Sequence, residues 1–168
     1  MPVLIDGDNL LHAARAAKPP GPLMGRSILC DLIGHWANRQ SERVRVIFDG
    51  PAPNRSLAQQ IAHPDIGVSY SGGTSADAVL IEILETDSAA RRMLVVSSDH
   101  EIARAAKRRR ARPVRSEEFW ALIQADLARP CPAPGEPREK RHGQSPDATD
   151  KWLQEFGLED SQQMTAEG

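Results

Sequence analysis

A chain of 168 residues with 40% hydrophobic content is long enough to bury one core of ordinary domain size, with a tail to spare. No apolar run approaches the ~20 residues of a membrane helix, and Asp6 breaks the first apolar stretch before a secretory leader could form, so the sequence reads as cytoplasmic. The net charge of −2 excludes nothing, and Cys30 and Cys131, isolated and without metal-site spacing, read as reduced thiols.

In chain order, residues 2–5 form a short apolar run ending at Asp6-Gly7, the pattern of a buried strand. Residues 8–17 and 24–39 have helical character and are separated by the breaker Lys18-Pro19-Pro20-Gly21-Pro22. "VRVIFDG" (44–50) reads as a second strand, 55–62 as a short helix and "IGVSY" (66–70) as a third strand. After the loop Ser71-Gly72-Gly73, Thr74 is placed to cap a helix over 75–86, whose Val79, Leu80, Ile83 and Leu84 follow helical spacing. "RMLVVSS" (92–98) is a strongly buried strand. Residues 100–109 read as a helix, 112–114 as a short strand and 116–127 as a helix carrying Phe119, Trp120, Leu122, Ile123 and Leu127. Strand and helix alternate throughout, which predicts a parallel sheet covered by helices on both faces.

Residues 129–146 are rich in Pro, Gly and charge and read as a linker between a domain over 1–128 and a tail over 147–168. In that tail Trp152, Leu153 and Phe156 make one face of a short helix, too short to be stable alone.

In parallel α/β folds ligands bind beyond the C-terminal ends of the strands. Asp6, Asp49 and Asp99 each end a predicted strand, and Asp77 opens a helix. Each has an ordinary local use: Asp6, Asp8 and Asp99 as helix caps, Asp77 in a capping box with Thr74, Asp49 as a turn residue before Gly50-Pro51. Together at one sheet edge, however, four carboxylates repel one another unless protons or cations neutralise them. Hard oxygen donors suit Mg²⁺ or Mn²⁺. Zinc is disfavoured, because His12, His35, His63 and His100 are scattered and suit surface or packing roles. Residues 91–115 carry nine basic side chains against Asp99 and Glu101, with Lys107-Arg108-Arg109-Arg110 at a helix end. Such a stripe is often only a solvated face. Beside an acidic metal site it points to phosphodiester chemistry, the ion activating water and the basic side chains holding flanking phosphates.

"VLIDGDNLL", "VIFDG", "SADAVLIEIL" and "LVVSSDHEI", in this order and spacing, resemble the YacP-like NYN domain within the PIN-like nuclease superfamily, over roughly residues 2–125. The resemblance implies a three-layer α/β/α PIN-like domain with a mostly parallel central sheet and a metal-dependent endoribonuclease leaving a 5′-phosphate and a 3′-hydroxyl. Asp6, Asp77 and Asp99 would be the ligands of Mg²⁺ or Mn²⁺, with Asp49 a direct or indirect one. Glu101 stands where relatives often carry a second Asp. Asn9 would orient the site or contact phosphate, and Ser97 and Ser98 would position water or an acid. Arg104, Lys107, Arg108 and Arg109 are the candidates for contact with single-stranded RNA, and ribosome association is a further partner that the resemblance implies. Asp8 departs from the family pattern.

Two rivals remain. In a haloacid-dehalogenase-type phosphatase Asp6 would attack phosphorus and Asp8 would serve as acid/base, but Asp77 and Asp99 would go unexplained. A non-catalytic RNA-binding protein on the same fold is the other.

Overall fold

The computed structural model describes residues 1–17 and 24–129. The 18–22 breaker, nearly all of the 129–146 linker and the 147–168 tail lie outside the described residues. The elements run β1 (Val3–Asp6), α1 (Gly7–Ala16), α2 (Arg26–Gln40), β2 (Val44–Phe48), α3 (Arg55–Ile61), β3 (Ile66–Tyr70), α4 (Ala76–Thr86), a 3₁₀ turn (Ala90–Arg92), β4 (Leu94–Val96), α5 (His100–Arg108), β5 (Arg112–Val114) and α6 (Ser116–Leu127). The five strands form one sheet in the order β3-β2-β1-β4-β5, and every pairing is parallel.

Side-chain alternation along the strands sorts the core into two layers. Val3 and Ile5 of β1, Val44, Val46 and Phe48 of β2, and Leu94 and Val96 of β4 pack with α1, α2 and α6. Leu4, Ile47 and Val95 point the other way, against Leu80 and Leu84 of α4 and Ile102, Ala105 and Ala106 of α5. The result is the expected α/β/α sandwich. Trp36 of α2 and Phe119 of α6 meet edge to face at 5.0 Å between centroids, which locks the last helix onto the first layer.

Two glycines permit close approaches. A Cβ on Gly7 would sit 2.5 Å from the Phe48 ring, so only glycine lets α1 start against β2. A Cβ on Gly34 would sit 2.2 Å from His63, which therefore packs on α2.

Several expected boundaries shift. The fourth strand is three residues long, not seven: Ala90–Arg92 coil into a 3₁₀ turn before it, and Ser97 leaves the ladder with β1 while its side chain turns to Asp6. The second strand stops at Phe48, because Gly50 at φ +89° turns the chain away. Thr74 does not cap α4. Its hydroxyl donates back to the Ser71 carbonyl at 3.0 Å, and Ser75 is the cap, accepting from Ala78 N–H at 3.1 Å. The expected Thr74–Asp77 capping box does not form, because Ser75 takes the cap and Ala78 at the third helical position has no polar side chain to reciprocate.

Sequential connections place β2 and β3 on one side of β1, and β4 and β5 on the other. The direction of winding reverses between β1 and β4. A crevice opens at such a switch point, beyond the carboxyl ends of the strands.

Candidate active site

The crevice is built from the two chain segments that leave β1 and β4. Asp6 ends β1 and caps α1, with Oδ1 accepting from Asn9 N–H at 3.1 Å. Its Oδ2 accepts from the Ser97 hydroxyl at 3.0 Å. Only 5% of Asp6 is exposed. Burial pushes its carboxyl up from 3.8 to about 6; the two hydrogen bonds oppose the rise, and the charges of Asp77 and Asp8 add to it. Ser97 also accepts from Asp99 N–H at 3.1 Å, so one hydroxyl ties the acid of β1 to the acid after β4.

Asp99 caps α5, Oδ1 accepting from Glu101 N–H and from Ile102 N–H at 3.2 Å. Its other oxygen has no hydrogen-bond partner among the described residues. Asp77, in the first turn of α4, is half-buried with no side-chain partner among them. Its carboxyl is raised by burial first, and then by the charges of Asp99, Asp49 and Glu101. Glu101 is exposed in the first turn of α5. No cation contributes to the environment of Asp6 or Asp77. The structure thus brings Asp6, Asp77 and Asp99 to one edge without a salt bridge to any of them among the described residues, Asp6 and Asp99 being held by neutral hydrogen-bond donors alone.

Asp49 and Asp8 are arranged differently. Asp49 Oδ1 accepts from Ala76 N–H at 2.9 Å and from the Ser71 hydroxyl at 3.2 Å. It therefore docks the start of α4 onto the end of β2. Asp8 faces Arg26, whose Nη2 donates to both carboxylate oxygens at 2.9 and 3.0 Å, while Asp49 N–H donates to Asp8 Oδ2 at 2.8 Å. The Arg26 guanidinium also lies 4.7 Å from the Phe48 ring centroid. With both oxygens taken by donors, Asp8 is a brace between α1, α2 and β2. That geometry disfavours it as the acid/base of a phosphatase.

Asn9 works as a joint. Its Oδ1 accepts from Ser98 N–H at 3.1 Å and from the Ser116 hydroxyl at 2.6 Å. Ser98 Oγ in turn accepts from Ser116 N–H at 3.1 Å and donates to Glu117 at 2.7 Å, which is the chief reason the Glu117 carboxyl is held below its ordinary range. Ser116 is fully buried, and sequence does not single it out, because there it reads as the small polar residue before a helix. Sequence does not mark Arg26 either, since its partner is 18 positions away and no local spacing links them.

The basic stripe divides. Arg109 donates to the carbonyls of Leu84 and Asp87 at 2.9 and 3.0 Å, closing the C-terminal end of α4. Arg108 lies 3.5 Å from Glu85. Arg104 and Lys107 are exposed and have no side-chain partner among the described residues.

The oxygen donor set suits a hard divalent ion. Among the described residues no three His, Cys, Asp or Glu side chains are gathered closely enough to hold an ion by themselves. A divalent ion at this edge would take one or two of the carboxylates directly and fill the rest of its shell with water. Among the same residues no helix is long and apolar enough to cross a membrane.

A five-stranded parallel α/β/α sandwich of this kind, with its acids at the switch point, is a PIN-like, nuclease-type fold. The chain belongs to the YacP-like NYN domain family, whose family model matches residues 3–157. The match extends past the 2–125 stretch that carries the sequence resemblance and takes in Trp152, Leu153 and Phe156. Two crystal structures of Rae1 (YacP) from Bacillus subtilis share the fold. One, of a single-substitution mutant, superposes with a TM-score of 0.57 at 16% identity, covering 95% of this chain and 86% of the other. The second gives 0.55 at 17% identity, covering 94% and 87%. No curated protein matches the chain.

Proposed function

We propose that the protein is an Mg²⁺- or Mn²⁺-dependent endoribonuclease that hydrolyses single-stranded RNA. The observation that carries this reading is the contrast between two sets of acids: Asp6, Asp77 and Asp99 share an edge with no salt bridge to any of them among the described residues, while Asp8, two positions along the chain from Asp6, is ion-paired with Arg26. Folding that leaves carboxylates uncompensated sacrifices stability, and a cation supplied from solution accounts for it. Membership of the NYN family, within a nuclease-type fold, supports RNA as the substrate.

One or two of Asp6, Asp77 and Asp99 would bind the ion directly, and the remaining acid, with Asp49 and Glu101, would act through water. When bound, the ion supplies Lewis-acid neutralisation of the phosphate and a more acidic water. The chain's own residues do the positioning. Asn9 N–H and the Ser97 hydroxyl fix both oxygens of Asp6, and the α5 amides fix one oxygen of Asp99, so neither acid reorients when substrate arrives. In the reaction a water oxygen bonds to phosphorus as the bond from phosphorus to the 3′ oxygen breaks. The water gives up a proton and the 3′ oxygen gains one, leaving a 5′-phosphate and a 3′-hydroxyl.

The test uses the full chain, labelled single-stranded RNA and, separately, a chromogenic phosphate monoester. RNA cleavage with Mn²⁺ or Mg²⁺, abolished by EDTA and reduced at least ~100-fold in Asp6→Asn and Asp99→Asn, is the expected result. Monoester turnover sensitive to Asp8→Asn would establish the phosphatase instead. RNA binding without cleavage in the presence of metal would establish a non-catalytic binding protein.

A further inference from the structure

The two faces of α5 have different commitments. Arg108 and Arg109 turn toward α4. Lys107 lies four residues from Ala103 and so shares its face, and both line a cleft of about 260 Å³. Pro113 and Val114 of the edge strand β5 lie across from them, and Arg115 and Glu118, at the start of α6, complete the lining. Asp99, with Ser97 and Ser98, also lines the cleft, and Ser97 is hydrogen-bonded to Asp6, so the cleft adjoins the acidic edge.

We propose that this cleft seats one nucleotide of the RNA strand next to the scissile bond, its phosphate held between Lys107 and Arg115 and its base laid against Pro113 and Val114. The identity of the strand as RNA rests on the ribonuclease reading. Four features fit a nucleotide. The volume is near the lower end of small-ligand sites, roughly 300 Å³, too small for a duplex. The two cations come from different elements and face one space, as a bridging phosphate needs. Both are available: Lys107 has no side-chain partner among the described residues, and Arg115 makes only an exposed contact with Glu117 at 3.5 Å, the kind worth little in water. Glu118 can only accept hydrogen bonds, so it fits the N–H groups of a base and repels the phosphate toward the two cations.

The experiment measures fluorescence anisotropy of a labelled single-stranded RNA 12-mer with the full chain in EDTA, where a metal-dependent enzyme does not cut. It compares wild type, Lys107→Ala, Arg115→Ala and the double variant. Arg91→Ala/Arg92→Ala, at the opposite end of β4, is the charge-matched control. The double variant is expected to bind about 10-fold more weakly, with its log–log salt slope reduced by about 1.4, or ~0.7 for each cation removed from a single-strand phosphate. The control is expected to stay within about twofold of wild type. Adenosine 5′-monophosphate is expected to shift the NMR signals of the Val114 methyls in wild type and not in the double variant, whose ligand-free spectrum is expected to keep the wild-type dispersion and so to exclude unfolding as the cause. Wild-type affinity in the double variant, or an equal loss in the control, overturns the cleft assignment. If RNA is nonetheless cleaved in Mn²⁺, the ribonuclease reading survives that failure. Conversely, cleft-dependent binding without any cleavage in Mn²⁺ overturns the ribonuclease reading and leaves the nucleotide seat standing.

Discussion

Two groups of acids lie on either side of the β1–α1 corner, and they are treated in opposite ways. On the β2 side, Asp8 is clasped by Arg26 and by Asp49 N–H, and Asp49 in turn holds the Ala76 amide and the Ser71 hydroxyl. On the β4 side, Asp6 and Asp77 carry raised pKa values with no cation to lower them. The first group is neutralised within the chain and serves as scaffold. The second has no salt bridge among the described residues and stands at the switch point of the sheet, where burial raises the Asp6 and Asp77 carboxyls. Sequence sets Asp8 apart only through its departure from the family pattern; its pairing with Arg26 supplies the physical distinction.

The strongest challenge to that contrast is catalytic. Asp6→Asn and Asp99→Asn are expected to lose at least ~100-fold of metal-dependent RNA cleavage, whereas Asp8→Asn is expected to lose less than ~10-fold. Single-turnover rates at saturating Mn²⁺ decide it, and equal losses at Asp8 and Asp6 would erase the distinction.

The next largest effect is on stability against pH. The Asp6 carboxyl titrates in the fold near 6, above its ordinary 3.8, so the folded state favours its neutral form. Its contribution is fully present below pH 3.8 and is lost as pH rises through about 6, a swing of about 3 kcal/mol for the metal-free protein. Asp6→Asn should remove this slope and melt higher than wild type at about pH 8 in EDTA. Added Mn²⁺ should raise the wild-type melting temperature under the same conditions and leave Asp6→Asn nearly unmoved. Chemical denaturation from about pH 4 to about pH 8 measures the first part, and calorimetry the second.

Smaller still is the brace. Arg26→Ala leaves Asp8 facing Asp49 without its cation and is expected to cost about 1–3 kcal/mol of folding stability, read by urea denaturation. Its cleavage rate should fall only as far as α4 and its Asp77 drift. At the lower end, Arg109→Ala should cost about 1 kcal/mol by freeing the α4 carbonyls and leave RNA affinity within about twofold. A large affinity loss there would show that the whole stripe, and not Lys107 with Arg115, meets the strand.

Much of this architecture is legible in the sequence, because the strands are fully buried and the helices have clear apolar periods. All five strands and six helices of the described residues fall where the pattern puts them, to within a few positions. The errors sit at the site. Ser97 looks like the end of a strand but leaves the ladder to bind Asp6. Thr74 looks like a cap, but Asp49 and Ser75 take the α4 amides in its place. The division of the basic stripe could not be read at all, since it depends on which face of α5 meets α4. Asp6 and Asp99 can be read both as caps and as site acids, and the structure shows them doing the capping with one oxygen each. Pairings such as Asp8–Arg26 and Asn9–Ser116 join residues 18 and 107 positions apart, and no local spacing encodes them.

The Asn9 joint also constrains the order of events during synthesis. Its carboxamide oxygen waits for Ser98 N–H and for Ser116, the latter 107 residues away, and the helix bearing Ser116 is the last of the described elements. Contacts this remote form late in folding, and during translation they cannot form until α6 has left the exit tunnel. A nascent chain truncated before that helix contains Asp6, Asp77 and Asp99 and can form the Asp6–Ser97 and Asn9–Ser98 bonds, yet it lacks the Ser116 links to Asn9 and Ser98. On the proposed reading, chains that end before α6 are expected to cleave RNA more slowly than the full chain, because Asn9 then holds Ser98 without the support of Ser116.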